Sequence, residues 1–189
     1  SGGFVINGQA ATDFSGRTVI SAGDVNGDGL NDLIVGAYGG DAGGRTDAGR
    51  AYVVFGKTTT TAIDLSAVAA GSGGYVINGQ GVSDNAGIAI AAIGDINGDG
   101  MADFAMGVHK SDPAAGTDAG RAYVLFGKSG TTAIDLSAVA TGNGGFVING
   151  QGVSDYLGIT IAGAGDFNGD GLTDVIVGAS SSDSWHGAD

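Results

Sequence analysis

The 189-residue chain has no cysteine, no glutamate, a single proline and only seven lysines and arginines together. Without cysteine there are no disulfides, no thiolate nucleophile and no zinc–thiolate site. Secretion stays open to it, because bound metal can staple a fold in place of sulfur. So few cations against 20 acidic residues leave a net charge of −13, which opposes binding to nucleic acid or to anionic membrane surfaces. No apolar run approaches the roughly 18 residues that span a bilayer, so membrane insertion is not expected. The opening segment SGGFVINGQA has neither the basic nor the apolar region of a signal peptide. One proline beside 40 glycines, about three times the usual glycine share, suits short strands joined by tight turns.

The acidic residues are all aspartate, and all of them fall into register with a 71-residue repeat. Asp24, Asp95 and Asp166 are 71 apart, as are Asp28, Asp99 and Asp170, and Asp32, Asp103 and Asp174. The same spacing relates Asp13, Asp84 and Asp155; Asp41, Asp112 and Asp183; Asp47, Asp118 and Asp189; and Asp64 and Asp135. Carboxylates kept only at repeated positions read as placed ligands and turn formers rather than as solubilising charge.

The first three sets lie in the loops DVNGDGLND, DINGDGMAD and DFNGDGLTD. Positions 1, 3, 5 and 9 offer side-chain oxygen, and position 7 (Leu30, Met101, Leu172) can offer a backbone carbonyl. Calcium takes six to eight such hard oxygens, whereas smaller magnesium demands strict octahedral geometry. Glycine at position 6 (Gly29, Gly100, Gly171) permits the sharp turn around an ion. An ion-free Asx turn is the competing reading, since Asp, Asn and Gly favour turns anyway. However, carboxylates within roughly 5 Å repel by about 3 kcal/mol per pair at an effective dielectric near 20, and a turn alone does not require three. An EF-hand shares this opening but needs Glu at position 12 and flanking helices; here position 12 is Val35, Met106 and Val177, inside expected strands. The GGxGxDxxx calcium repeat of β-rolls is absent despite the glycine content.

Each period holds four apolar segments, all expected to be strands. VISAGD, IAIAAIGD and ITIAGAGD run into the loops; DLIVGA, DFAMGV and DVIVGA run out of them, forming a hairpin. The third is GRAYVVFGK at 49–57 and GRAYVLFGK at 120–128; the fourth is GFVINGQ at 3–9 and 145–151 and GYVINGQ at 74–80. Runs such as 33–35 and 52–55 are continuously apolar, which requires a sheet covered on both faces. A parallel α/β sheet needs crossover helices, and only the short AIDLSAVA at 62–69 and 133–140 is helix-like. The expectation is therefore all-β: β-propeller blades of four antiparallel strands, about 2.7 blades in this chain. Residues 1–189 form one array, with 1–9 the last strand of a preceding blade, 10–80 and 81–151 two blades, and 152–189 the first half of a third. Further blades, of the same or another chain, would complete it.

The stretch from the first strand through DVNGDGLNDLIVGA to GRAYVVFG resembles the FG-GAP repeat of integrin α-subunit β-propellers, and more closely bacterial integrin-α-like calcium-binding repeat proteins. The resemblance implies calcium at Asp24, Asn26, Asp28, Leu30 and Asp32; at Asp95, Asn97, Asp99, Met101 and Asp103; and at Asp166, Asn168, Asp170, Leu172 and Asp174. It implies ligands on the opposite face, where the loops after the second strand vary most. Tyr38, Arg45, His109, Lys110, Trp185 and His186 are the contact candidates there, against simple loop drift on an exposed surface. The proline of GAP is replaced by Tyr38, His109 and Ser180, and the phenylalanine of FG by Ser15, Ala86 and Leu157.

Neither histidine belongs to a repeated constellation with a nucleophile, so no enzyme activity is expected. The expected function is a calcium-stabilised, non-catalytic binding or adhesion module, extracellular or on a cell surface, taking a protein or glycan ligand. A purely architectural repeat and an accessory propeller of a larger extracellular enzyme are the alternatives.

Overall fold

The computed structural model of the chain describes residues 3–182. In the first repeat, β2 (Thr18–Gly23), β3 (Asp32–Ala37), β4 (Arg50–Val54) and β6 (Gly74–Asn78) form an antiparallel meander, following the short β1 (Ile6–Asn7). The second repeats it with β7 (Ala89–Gly94), β8 (Asp103–Val108), β9 (Arg121–Leu125) and β11 (Gly145–Asn149). The third contributes the pair β12 (Leu157–Gly165) and β13 (Asp174–Ala179). These are propeller-type blades: β7 packs on β2, and β12 packs on β7 and β8.

The uninterrupted apolar strands are explained by coverage on both faces. Alternate residues of one strand enter different cores. Ile34 lies between the first two blades with Tyr75, Phe104, Met106, Tyr123 and Leu125, while its neighbour Val35 faces the other way with Tyr52, Val54 and Leu65. Ala105 and Val124 turn toward the third blade, against Ile161 and Val175. Burial of each large apolar side chain contributes about 1.5–3 kcal/mol. Most of that burial lies between sheets, so each blade depends on its neighbours.

Two features depart from the sequence expectation. The segment 3–9, expected as a full strand, is β-structured only at Ile6–Asn7. The AIDLSAVA segments are not simply helical. Each opens with a two-residue strand, β5 (Ile63–Asp64) or β10 (Ile134–Asp135), before a short helix, α1 (Leu65–Ala69) or α2 (Leu136–Val139). β5 pairs in parallel with β1, and β10 with β6. Each short strand thus reaches back to the outer strand of the preceding repeat. Asn7 donates to Asp64 at 2.7 Å and Asn78 to Asp135 at 3.1 Å, closing the latch with side chains.

The register of each first hairpin slips just before the acidic loop, between Ser21 and Gly23, Ala92 and Gly94, and Gly163 and Gly165. The glycines there have φ of 81°, 71° and 65°, the left-handed conformation a bulge of this kind demands.

Candidate metal centres and the opposite face

The three acidic loops share one hydrogen-bond pattern. In the first, Asp24 Oδ1 accepts the N–H groups of Gly27 and Asp28, at 2.7 and 3.0 Å, and Oδ2 accepts that of Gly29 at 2.7 Å. Asn26 Oδ1 accepts the Asp28 N–H at 2.8 Å, and Asp28 Oδ1 accepts that of Leu30 at 2.8 Å. Asp95 and Asp166 gather the corresponding N–H groups at 2.7–3.1 Å. These bonds hold the Asp95 carboxyl below the usual carboxylate range, the Gly100 N–H contributing most. The position-6 glycines have φ of 88°, 89° and 90°, the turn that lets three successive N–H groups converge on one carboxylate.

The ninth position behaves differently. Asp32 is fully buried; its Oδ2 accepts the Val25 N–H at 2.8 Å and its Oδ1 the Gly56 N–H at 2.7 Å. It thereby ties the loop's start and end to the turn after the third strand. Asp103 does the same with Ile96 and Gly127. Burial pushes the Asp32 carboxyl up; the Gly56 and Val25 N–H groups pull it down, and Asp28 and Asp24 push it up again. Asp103 is raised by the same causes, with Asp99 and Asp95 as the neighbouring charges. Gly56 was not foreseen as a partner, although its place after the repeated AYVVFG and AYVLFG strands was a readable signal.

Among the described residues, no three carboxylate or imidazole side chains are gathered closely enough to hold an ion as they stand; the aspartates are turned onto the loops' own N–H groups. The donor set nevertheless fits a hard cation. Each loop supplies only oxygen, from three carboxylates, one amide and free carbonyls, in a nine-residue turn. The charges acting on the buried ninth carboxylate are like charges, the situation a cation relieves. The position-12 residues Val35, Met106 and Val177 lie in β3, β8 and β13, so no EF-hand helix follows.

The structural role of Asp32 predicts a contrast that does not involve metal. In excess chelator, Asp32→Ala leaves one buried and one partly buried N–H group unpaired and should cost about 2–4 kcal/mol. Asp28→Ala, at an exposed position, should cost under about 1 kcal/mol. Equal losses in urea unfolding would refute the assignment.

β3 and β8 run away from the acidic loops, so the variable loops lie at the other end of each blade. There Asp41 and Asp112 cap their turns, accepting the N–H groups of Asp47 and Asp118 at 3.0 and 2.8 Å. Their backbone carbonyls accept from Arg50 and Arg121 at 2.8 and 3.2 Å. Tyr38 stacks on Phe14 at 5.1 Å with Arg17 over its ring, and Arg45 donates to the Gly79 carbonyl at 2.9 Å. His109 is buried beside Tyr156, its Nδ1 without a hydrogen-bond partner, and burial pulls its pKa down. Arg45 and His109 are thus engaged by residues from other segments of the chain, whereas Lys110 is exposed. Trp185 and His186 lie outside the described residues.

Sequence reasoning missed a cleft of about 360 Å³ at this end, lined by Gln80, Val82, Asp84, Ser111, Asp112 and Arg121. Asp84 is buried, which raises its carboxyl, while Arg121 draws it back down. The Tyr123 hydroxyl donates to Gln80 at 3.0 Å, as Tyr52 does to Gln9 at 2.6 Å. The 71-residue spacing of Gln9 and Gln80, Asp13 and Asp84, and Arg50 and Arg121 was the available signal.

Compared with known families, residues 16–54, 86–125 and 158–189 match the FG-GAP repeat. The chain belongs to the FG-GAP repeat family. It is 27% identical over 184 residues to integrin alpha-PS2 of Drosophila melanogaster, covering 95% of this chain and 12% of that protein. It is 31% identical over 161 residues to phosphatidylinositol-glycan-specific phospholipase D of Bos taurus, covering 85% and 18%. With integrin alpha-E of Mus musculus it shares 32% over 143 residues, covering 71% and 11%. The chain therefore spans less than a fifth of each relative's length.

The FG-GAP motif has a direct physical reading here. The glycine of one repeat's GAP position meets the glycine of the next repeat's FG position backbone to backbone. A Cβ built on Gly36 would stand 2.0 Å from the Gly87 carbonyl oxygen, and one on Gly107 1.9 Å from that of Gly158. No helix among the described residues is long and apolar enough to cross a membrane.

Proposed function

We propose that this FG-GAP chain is a calcium-stabilised, non-catalytic β-propeller segment of a secreted or cell-surface protein that binds a protein or glycan ligand. The carrying observation is its two-ended construction, with acidic oxygen-donor loops at one end of the blades and, in the first two repeats, variable loops with a mixed-charge cleft at the other. Calcium would be held by Asp24, Asn26, Asp28, the Leu30 carbonyl and Asp32, and by the matching residues of the second and third loops. When bound it neutralises crowded carboxylates; the residues themselves order the hairpin, position 1 by collecting N–H groups and position 9 by tying the loop to the next turn. The likeness to integrin alpha chains supports the extracellular and adhesive reading.

At the other end, Asp84 offers acceptors, while Arg121 and Gln80 offer donors beside the apolar Val82. That mixture suits a ligand with several hydroxyl or amide groups. The likeness to a phospholipase D supports a second reading, an accessory propeller of a larger extracellular enzyme.

A glycan array and immobilised extracellular-matrix proteins provide the test. The chain should be retained by a member of one of them. The triple variant Val82→Ser, Lys110→Ala, Asp112→Asn should bind at least tenfold more weakly at an unchanged melting temperature, since these positions are exposed and Asn keeps the turn cap. Absence of retention on both surfaces would favour a purely architectural repeat.

A further inference from the structure

We propose that the first two acidic loops bind calcium cooperatively, through a two-peptide hydrogen-bond relay running from Met101 to Asp32. The inference rests on the calcium reading above, but concerns a connection between sites. The peptide unit joining Met101 to Ala102 points both ways. Its carbonyl is the seventh-position oxygen of the second loop, and its N–H donates to the Asp24 carbonyl of the first loop at 2.8 Å. The next peptide unit, Asp24–Val25, repeats the arrangement, its N–H donating to Asp32 Oδ2 at 2.8 Å. Asp32 is the ninth-position ligand candidate of the first loop. Two peptide groups in series therefore connect a ligand oxygen of one loop with a ligand oxygen of the other.

Side-chain packing keeps the two loops in contact beside this relay. The Met101 Cγ lies 3.6 Å from where a Cβ on Gly27 would stand, and the Ala102 Cβ lies 2.9 Å from that of Gly23. The second and third loops differ. The bond from Ile96 N–H to Asp103 Oδ2 is present at 2.9 Å, but among the described residues no bond joins Thr173 N–H to the Asp95 carbonyl. The relay is thus confined to the first pair.

A cation drawn to the Met101 carbonyl polarises that peptide and strengthens its N–H as a donor. It also fixes the Asp24 peptide before the first loop fills, so the second ion meets a loop already ordered. Repulsion between two dications opposes this. Salt, with a Debye length of about 8 Å at physiological strength, screens that repulsion between exposed loops. Coupling must be reciprocal.

Calcium titration of the ¹⁵N-labelled chain, followed at the Gly29, Gly100 and Gly171 amides, resolves each loop separately. Asp99→Asn weakens the second loop while keeping an oxygen for the Met101 N–H; it should raise the Gly29 midpoint about tenfold, within the usual range of coupling. Asp170→Asn, in the third loop, should leave Gly29 unchanged. Ala102→Pro removes the connecting N–H and retains every ligand, so Gly29 and Gly100 should then titrate independently. A Gly29 midpoint indifferent to Asp99→Asn would overturn the relay and leave the calcium reading intact. If no glycine amide of the parent chain responds to calcium, the calcium reading fails and the relay with it. Should Ala102→Pro not fold, the comparison of Asp99→Asn with Asp170→Asn decides alone.

Discussion

In excess chelator the melting temperature of this chain should fall by on the order of 15 °C, and added calcium should restore it. The magnitude follows from mass action. A site with a dissociation constant near 10⁻⁴ M, within the reach of extracellular modules, stabilises by about 2.7 kcal/mol when calcium stands at 100 times that value. Three such sites contribute roughly 8 kcal/mol, and each kcal/mol moves the transition of a chain this size by about 2–4 °C. Even with losses from non-additivity, the shift exceeds what surface electrostatics alone would give. Magnesium at the same concentration should restore less, because the loops offer flexible carbonyl and amide oxygens rather than an octahedral cage. The triple variant Asp24→Asn, Asp95→Asn, Asp166→Asn should melt at one temperature with or without calcium. Superimposable curves for the parent chain in chelator and in calcium would remove the metal from the account.

Much of this architecture was legible because the sequence repeats itself. Aspartates 71 apart identified three equivalent loops, and continuous apolar strands between glycines identified sheets covered on both faces. What escaped was information carried by partners distant in the chain. Ile63–Asp64 and Ile134–Asp135 are too short to show a period, and their pairing with residues 57 positions earlier depends on one blade lying beside the next. The second partner of Asp32 lies 24 residues away on another turn, so spacing within the loop gave no hint of it. His109 looked like a surface contact because it sits in a variable loop, yet Tyr156 of the following repeat covers it. In each case the deciding contact crosses between strands or blades, where local pattern carries no signal.

A steep loss from a single substitution should come at Gly107. It has an ordinary backbone conformation, so chain entropy is not the reason for glycine. The reason is space: a Cβ there would stand 1.9 Å from the Gly158 carbonyl oxygen and 2.8 Å from its carbonyl carbon, and backbone cannot yield as a flexible side chain can. Gly158 is itself fixed, with φ of 87° and its own would-be Cβ 2.4 Å from the Arg121 carbonyl oxygen. Relief therefore requires the second and third sheets to separate, which would loosen Ala105 and Val124 from Ile161 and Val175. Gly107→Ala should cost about 3 kcal/mol, at the upper end of overpacking effects, and lower the melting temperature by roughly 6–12 °C. Gly107→Val should abolish cooperative unfolding. Gly130→Ala is the control, since nothing lies within 4 Å of its Cβ position, and it should be neutral within about 0.5 kcal/mol. Matching melting temperatures for Gly107→Ala and Gly130→Ala would mean that the repeats do not stack through their glycines, and the reading of the FG-GAP motif as a backbone-to-backbone contact would fall.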